Sequence, residues 1–203
     1  HENDKIYDRI LCRTRVRYLD CNAIRTLKRV PEKVTIWCAI SSHGILGPYF
    51  YEENGSRVTV NGVRYVDLLE NKFYPDLSQF SFNHPHLTTD WWFMQDGARP
   101  HIVRPAQDFL ASKFAHRTIG QHLGTHWPAR SPDLTPCDFF LWGWVKDQLY
   151  KRYPITDVTQ LKNHLVDIVH DMDSTSAMNA CGSVKMRCHK VIAAGGGQFE
   201  HLN

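Results

Sequence analysis

The 203-residue chain lacks the marks of several large protein classes. No run approaches the roughly 18 apolar residues that read as a membrane span. Nothing at its start has the order of a secretory signal, a basic stretch followed by an apolar run and small residues. Of its six cysteines no two form a CxxC pair, so the reading is a reduced, intracellular chain rather than a disulfide framework. "FNHPHL" offers His84 and His86, and "VKMRCHK" offers Cys188 and His189, but neither has the spacing of a structural zinc site. There is no internal repeat and no low-complexity tract. One-sided charge is scarce as well. The formal net charge is +3, a weak argument for a polyanionic partner of the chain as a whole. The excess is local, because residues 1–33 carry nine Lys or Arg against five Asp or Glu. In "RILCRTRVRYL" and "RTLKR" these cations either pair with phosphates or form a solvated strand face.

What is present describes a folded α/β chain. At 42% hydrophobic and 22% charged, the composition excludes a disordered tail, and the length allows one good core or two small ones. "RVRYL" (15–19) alternates as a strand does, and "VTIWCAIS" (34–41) is richer in β-branched and aromatic residues. "ILGPYFYEE" (45–53) returns after a turn, with Pro48 placing a bulge or a sheet edge there. "ENGSRVTVNG" reads as a loop or short hairpin. Val63, Val66, Leu69 and Phe73 stand at helical spacing. A loop follows over 78–89, then a strand ending at Asp96 and a helix over 103–114. "CDFFLWGWVKDQLYKR" and "VTQLKNHLVDIVHDM" predict two further helices, the second with Leu161, Leu165, Ile168 and Met172 in one stripe. The last thirty residues are ambiguous. The tryptophans Trp91, Trp92, Trp127, Trp142 and Trp144 fall on these elements and read as core or interface residues rather than base-stacking ones.

Two carboxylates stand at element boundaries. Asp96 closes the run "WWFMQ" before "GARPH", and Asp138 opens a helix after "SPDLTPC". Ligands of α/β sheets bind near strand ends and helix starts. Two acids brought together there repel each other, and a divalent cation such as Mg²⁺ removes that repulsion. The bland reading stays open at this point: Asp96 begins a turn, and Asp138 caps a helix or occupies its first turn.

The blocks "VTIWCAISSHGILGPYF", "VTVNGVRYVDLLENKFYPDL", "WFMQDGARPH" and "HWPARSPDLTPCDFFLWGWVKDQLY" resemble the catalytic domain of mariner-type transposases. These belong to the superfamily that carries a DDE or DDD triad on an RNase H-like fold. The resemblance runs from about Arg17 to about Met172. It implies an α/β, RNase H-like fold, a mixed central sheet flanked by helices, over residues 1–175. A helical or irregular extension follows over 176–203. It matches Asp96 to the second catalytic aspartate and Asp138 to the third acid, both as ligands of Mg²⁺, with Mn²⁺ as a substitute. His101 is placed near the active centre, and Arg99 and Arg130 become DNA-contact candidates. Asp133 belongs to the motif only as a turn residue. The implied activity is metal-dependent phosphodiester hydrolysis and strand transfer in DNA transposition and integration. The implied partners are transposon ends and target DNA, in a homodimer, in the nucleus and without a membrane.

The departure is at the other end. The family's first aspartate, usually followed by Glu, falls at or just before His1, where "HEND" stands. Asp4, Asp8 and Asp20 do not sit in a convincing copy of that motif. The expectation is therefore an N-terminally truncated fragment whose sheet lacks its first strand and which has no helix-turn-helix region. As an isolated chain it is expected not to transpose DNA. The alternative is a catalytically inactive, transposon-derived domain retaining only nucleic-acid or protein binding.

Overall fold

Strand β3 (Val34–Ser41) is buried along its whole length. A strand covered on both faces needs an uninterrupted apolar run, and "VTIWCAIS" supplies one. The computed structural model describes residues 10–13, 18–19, 33–84, 90–128, 130–152, 155, 157–197 and 199. Asp4, Asp8, Asp20 and most of the basic N-terminal stretch lie outside the described residues.

Around β3 the described strands form one mixed sheet. Strand β1 (Ile10–Arg13) pairs antiparallel with β3 at Cys12 and Ile40, and β2 (Tyr18–Leu19) pairs antiparallel with the start of β3. On its other side β3 pairs with β4 (Gly44–Phe50), whose register slips between Trp37 and Ala39. Among the described strands β4 pairs only with β3, so Pro48 lies in an edge strand beside a bulge, as its missing N–H requires. Next, β5 (Glu52–Glu53) and β6 (Ser56–Arg57) form a separate hairpin. Its turn residues Asn54 and Gly55 have φ of 50° and 75°, the left-handed pair that hairpin turns favour. Strand β7 (Trp92–Gln95) runs parallel to β1, followed by β8 (Thr118–Gly120) and β9 (Thr125–His126), also parallel.

Sequence reasoning expected the first strand of the sheet to be missing. The structure corrects this, because Ile10–Arg13 fills the central place between β3 and β7. Without it both neighbours would face an unpaired row of backbone groups, which a buried sheet does not tolerate. The segment is hard to read as a strand because Arg interrupts it on both sides.

Helices cover both faces. On one, α1 (Gly62–Leu68) starts where the Asn61 side chain accepts the Arg64 N–H. It passes through a π turn (Leu69–Phe73) into α2 (Tyr74–Asn83), so part of the expected loop is helix. Together with α3 (Arg104–Phe114) these pack Tyr65, Leu69, Phe73, Ala106 and Leu110 in one core with Trp37 and Phe93. The other core joins Val34, Ile36, Cys38, Ile40 and Met94 to α4 (Trp142–Arg152), α5 (Val158–His170) and α6 (Ser174–Ala193). The result is a three-layer α/β/α sandwich. Trp91, Trp127 and Trp142 are buried, as the core reading of the tryptophans requires.

Helix α6 resolves the ambiguous last thirty residues. Its buried face is made of Ala177, Ala180, Cys181 and Val184, and such small side chains give a weak apolar stripe. Burial pushes the Cys181 thiol pKa well above its ordinary value. The helix begins at Asp173, whose carboxylate takes hydrogen bonds from the Ser176 hydroxyl (2.6 Å) and N–H (2.8 Å).

Two outcomes follow. Phe93, fully buried between the sheet and α3, should cost about 3–5 kcal/mol when changed to Ala, measured by urea denaturation. The Ser176 hydroxyl and N–H hold the Asp173 carboxyl below the usual aspartate value of about 3.9. A lowered folded pKa contributes stability that is complete above the unfolded value and is lost as pH falls through the folded one. Asp173→Ala should therefore destabilise most at neutral pH, and its difference from the parent should shrink below about pH 4.

Candidate active site

Strand β7 ends with a buried polar residue, Gln95, followed by the half-buried Asp96. Gln95 is satisfied from both directions. The Tyr65 hydroxyl on α1 donates to its Oε1 (2.6 Å), and its Nε2 donates to the His101 carbonyl (3.2 Å). His101 closes a single 3₁₀ turn (Arg99–His101) and is 1% exposed, with its ring 4.9 Å from that of Tyr65. Its Nδ1 lies 2.6 Å from Asp96 Oδ1, and the same Oδ1 accepts the Ala98 N–H at 3.1 Å. Carboxylate oxygens only accept, so Nδ1 carries a proton whether the imidazole is neutral or charged. The hydrogen-bonded chain Tyr65–Gln95–His101–Asp96 thus ties the carboxylate to the helix layer.

This answers why an acid follows a buried strand. Asp96 does begin a turn, as the bland reading has it, through its bond to Ala98. It is also hydrogen-bonded to a buried histidine on one side and meets solvent on the other. A Cβ at Gly97 would meet the tip of the Gln121 side chain, which would have to swing aside.

Asp138 lies in a π turn (Cys137–Leu141) that opens α4. Its N–H donates to the Thr135 carbonyl at 2.8 Å, and the Phe139 N–H donates to the same oxygen at 3.0 Å. Asp138 therefore sits in the first turn of the helix, where a negative charge suits the helix dipole. Single π turns also concentrate at functional sites. Cys137 and Leu141, which flank Asp138, belong to the same core cluster as Met94, two residues before Asp96. Asp133 is in a 3₁₀ turn (Pro132–Leu134), and its carbonyl accepts from Arg187 Nη1 of α6 at 3.0 Å. The Arg187 guanidinium lies 3.7 Å from the Phe139 ring centroid, so α6 clamps the segment carrying Asp138. Arg99 and Arg130 are exposed, and Arg130 has φ of 58°.

Sequence reasoning missed Tyr65, Gln95 and Arg187. Gln95 alone carried a signal, as a polar residue at the end of a buried run. Among the described residues no group of three or more His, Cys, Asp or Glu could hold a metal ion. The β1 residues level with Met94 and Gln95 are Cys12 and Arg13, neither of them acidic. Mg²⁺ asks for little more than one or two carboxylates plus substrate phosphates, so the donor chemistry of Asp96 and Asp138 fits it.

Tyr65→Phe keeps the packing but leaves Gln95 Oε1 without its donor. It should cost about 1–3 kcal/mol in chemical denaturation, more than a surface Tyr→Phe change.

No family model matches the chain. It is 26% identical over 145 residues to the transposable element Tc3 transposase of Caenorhabditis elegans, a match covering 70% of this chain and 39% of that protein. Its fold matches the crystal structure of the Mos1 mariner transposase catalytic domain with a TM-score of 0.77 at 19% identity, covering 98% of this chain and 88% of the other. It also matches the pre-cleavage Mos1 transpososome, with a TM-score of 0.72 at 19% identity, covering 98% and 59%. The Mos1 catalytic domain has been solved with raltegravir and either Mn or Mg. The RNase H-like, mixed α/β architecture implied by the motifs is thus the fold of this chain, and the resemblance to mariner-type transposases holds in sequence and structure.

Proposed function

We propose, for a chain with the fold of a mariner-type transposase catalytic domain, that it is the catalytic portion of a DNA transposase. The observation that carries this reading is the Asp96 carboxylate. It is held by the buried His101 at the end of β7, while Asp138 stands in the π turn that opens α4. Its substrates are transposon ends and target DNA, its working form is a homodimer, and its compartment is the nucleus. The Mos1 structures with Mn, with Mg and in a transpososome support the metal and DNA parts of the reading.

The chain's own residues have separate tasks. His101 holds Asp96 Oδ1, which fixes the direction in which the carboxylate faces solvent. The π turn holds the backbone of Asp138, with the Thr135 carbonyl anchoring it and Arg187 clamping the preceding segment. Arg99 and Arg130 would meet backbone phosphates. Bound between the acids, Mg²⁺ or Mn²⁺ would act as a Lewis acid on the scissile phosphodiester.

A second reading is favoured by one observation. The register of β1 sets Arg13, and no acid, beside Gln95. A domain with two of three acids would bind DNA without cutting it.

Mn²⁺ titration of the chain, of Asp96→Ala and of Asp138→Ala tests the first reading. Binding should be weakened at least tenfold in each variant, and equal binding in all three would refute the assignment. Cleavage and joining of a labelled terminal-repeat duplex then separates the two readings. Turnover that depends on Asp96 supports the transposase, whereas duplex binding without turnover supports the inactive domain.

A further inference from the structure

A cleft of about 460 Å³ opens where β3 begins and β4 ends, lined by Lys33, Thr35, Phe50, Glu52, Arg57 and Lys162 among others. Its volume is in the range of ligand sites, about 300–1,000 Å³. Three of the charged residues lining it are cations and one is an anion. Glu52 is ion-paired with Lys162, which also lies 5.7 Å from the Phe50 ring centroid. The hydroxyl of Thr35 is buried and has no hydrogen-bond partner among the described residues. The alternation of β3 turns that hydroxyl toward the face of Trp37 and Ala39, away from Lys162, so the chemistry of the cleft is that of its charged residues.

The sheet register fixes where this cleft stands relative to Asp96. Ile40 is level with Cys12, and Cys12 with Met94. Because β3 runs antiparallel to β1 and β7, its first residues lie at the same end of the sheet as the last residues of β7. Thr35 is five residues from Ile40 and Asp96 two from Met94. At about 3.3 Å per residue and about 4.8 Å per strand spacing, the two points are on the order of 15 Å apart in the sheet plane. One strand of B-DNA carries a phosphate about every 3.4 Å of helix axis, so that distance is about four or five phosphates.

We propose that the Lys33–Arg57–Lys162 cleft is a phosphate-binding site that seats the DNA backbone on the rim shared with Asp96 and Asp138. Arg57 and Lys162 receive the phosphodiester oxygens, with Lys33 beside them, and Glu52 is the internal anion that the phosphate displaces from Lys162. This rests on the transposase reading for its choice of DNA over a free nucleotide, but the phosphate chemistry of the cleft does not.

The test measures binding of a fluorescent duplex across a salt series, with ATP and inorganic phosphate as separate arms followed by amide shifts at Thr35 and Lys162. The double variant Arg57→Gln, Lys162→Gln should weaken duplex binding about tenfold and lower the salt slope by about two. Glu52→Gln should tighten it about threefold. Glu53→Gln makes the same change in net charge next door, where Glu53 pairs with Arg64, and should leave binding unchanged. Equal effects of Glu52→Gln and Glu53→Gln, or duplex binding indifferent to the double variant, would overturn the cleft and leave the transposase reading standing. Shifts with inorganic phosphate and ATP but no duplex binding would retain a phosphate site and overturn its assignment to DNA. Thermal unfolding of each variant confirms that the fold is intact.

Discussion

A sheet covered on both faces has only its ends left for chemistry with solvent. Strand β3 is buried throughout, Phe93 and Met94 of β7 point into opposite cores, and helices close each layer. Polar groups inside such a sandwich would be stranded without partners. On the proposed reading, the functional polarity therefore lies at the ends of the elements, where β7 finishes, β3 starts and the turn before α4 carries Asp138. Asp96, Asp138 and the basic cleft all follow from that single restriction on where charge can sit.

Placing a carboxylate on the rim is not enough to make it useful, because a free side chain samples several rotamers. The structure addresses this from below. Gln95 occupies the last fully buried position of β7 and spends its amide on Tyr65 and His101. His101 then gives Nδ1 to Asp96. A half-buried hydrogen bond of this kind adds little net stability, since desolvating the carboxylate offsets most of the gain. Its effect is on geometry: it fixes one rotamer at a site whose chemistry is sensitive to displacements of about 1 Å. The polar network is better understood as an aiming device than as a source of stability.

Several elements were legible because their periodicity is imposed by burial. The run "VTIWCAIS", the stripe of α5 and the Pro48 edge all read correctly, since each has a local cause. The small-residue face of α6 did not, because Ala and Cys bury well while giving little amphipathic contrast. Strand β1 failed for another reason. Its Arg-flanked four residues are held by β3 and β7, partners distant in sequence. The acids show the same division. Spacing gave Asp96 and Asp138 no advantage over Asp133, and only the resemblance of the surrounding blocks separated them. Tyr65 and Gln95, thirty residues apart, meet through packing that no local pattern records.

The rim also constrains how its parts act together. Two carboxylates hold a divalent cation weakly in water, because Mg²⁺ gives up its hydration reluctantly and prefers to complete its shell with substrate phosphates. Any residue that helps seat a phosphodiester on this rim then raises the affinity of the acid pair for metal, and by linkage the metal raises the affinity for DNA by the same factor. The basic cleft on the proposed reading contributes in this way across about 15 Å without touching the acids. Coupling of this kind matters most where the acidic side is sparse. With Arg13 rather than an acid level with Gln95, β1 adds no carboxylate at that register position. On the proposed reading, DNA affinity then needs only the phosphate-binding residues, whereas catalysis depends on what else reaches the rim beside Asp96.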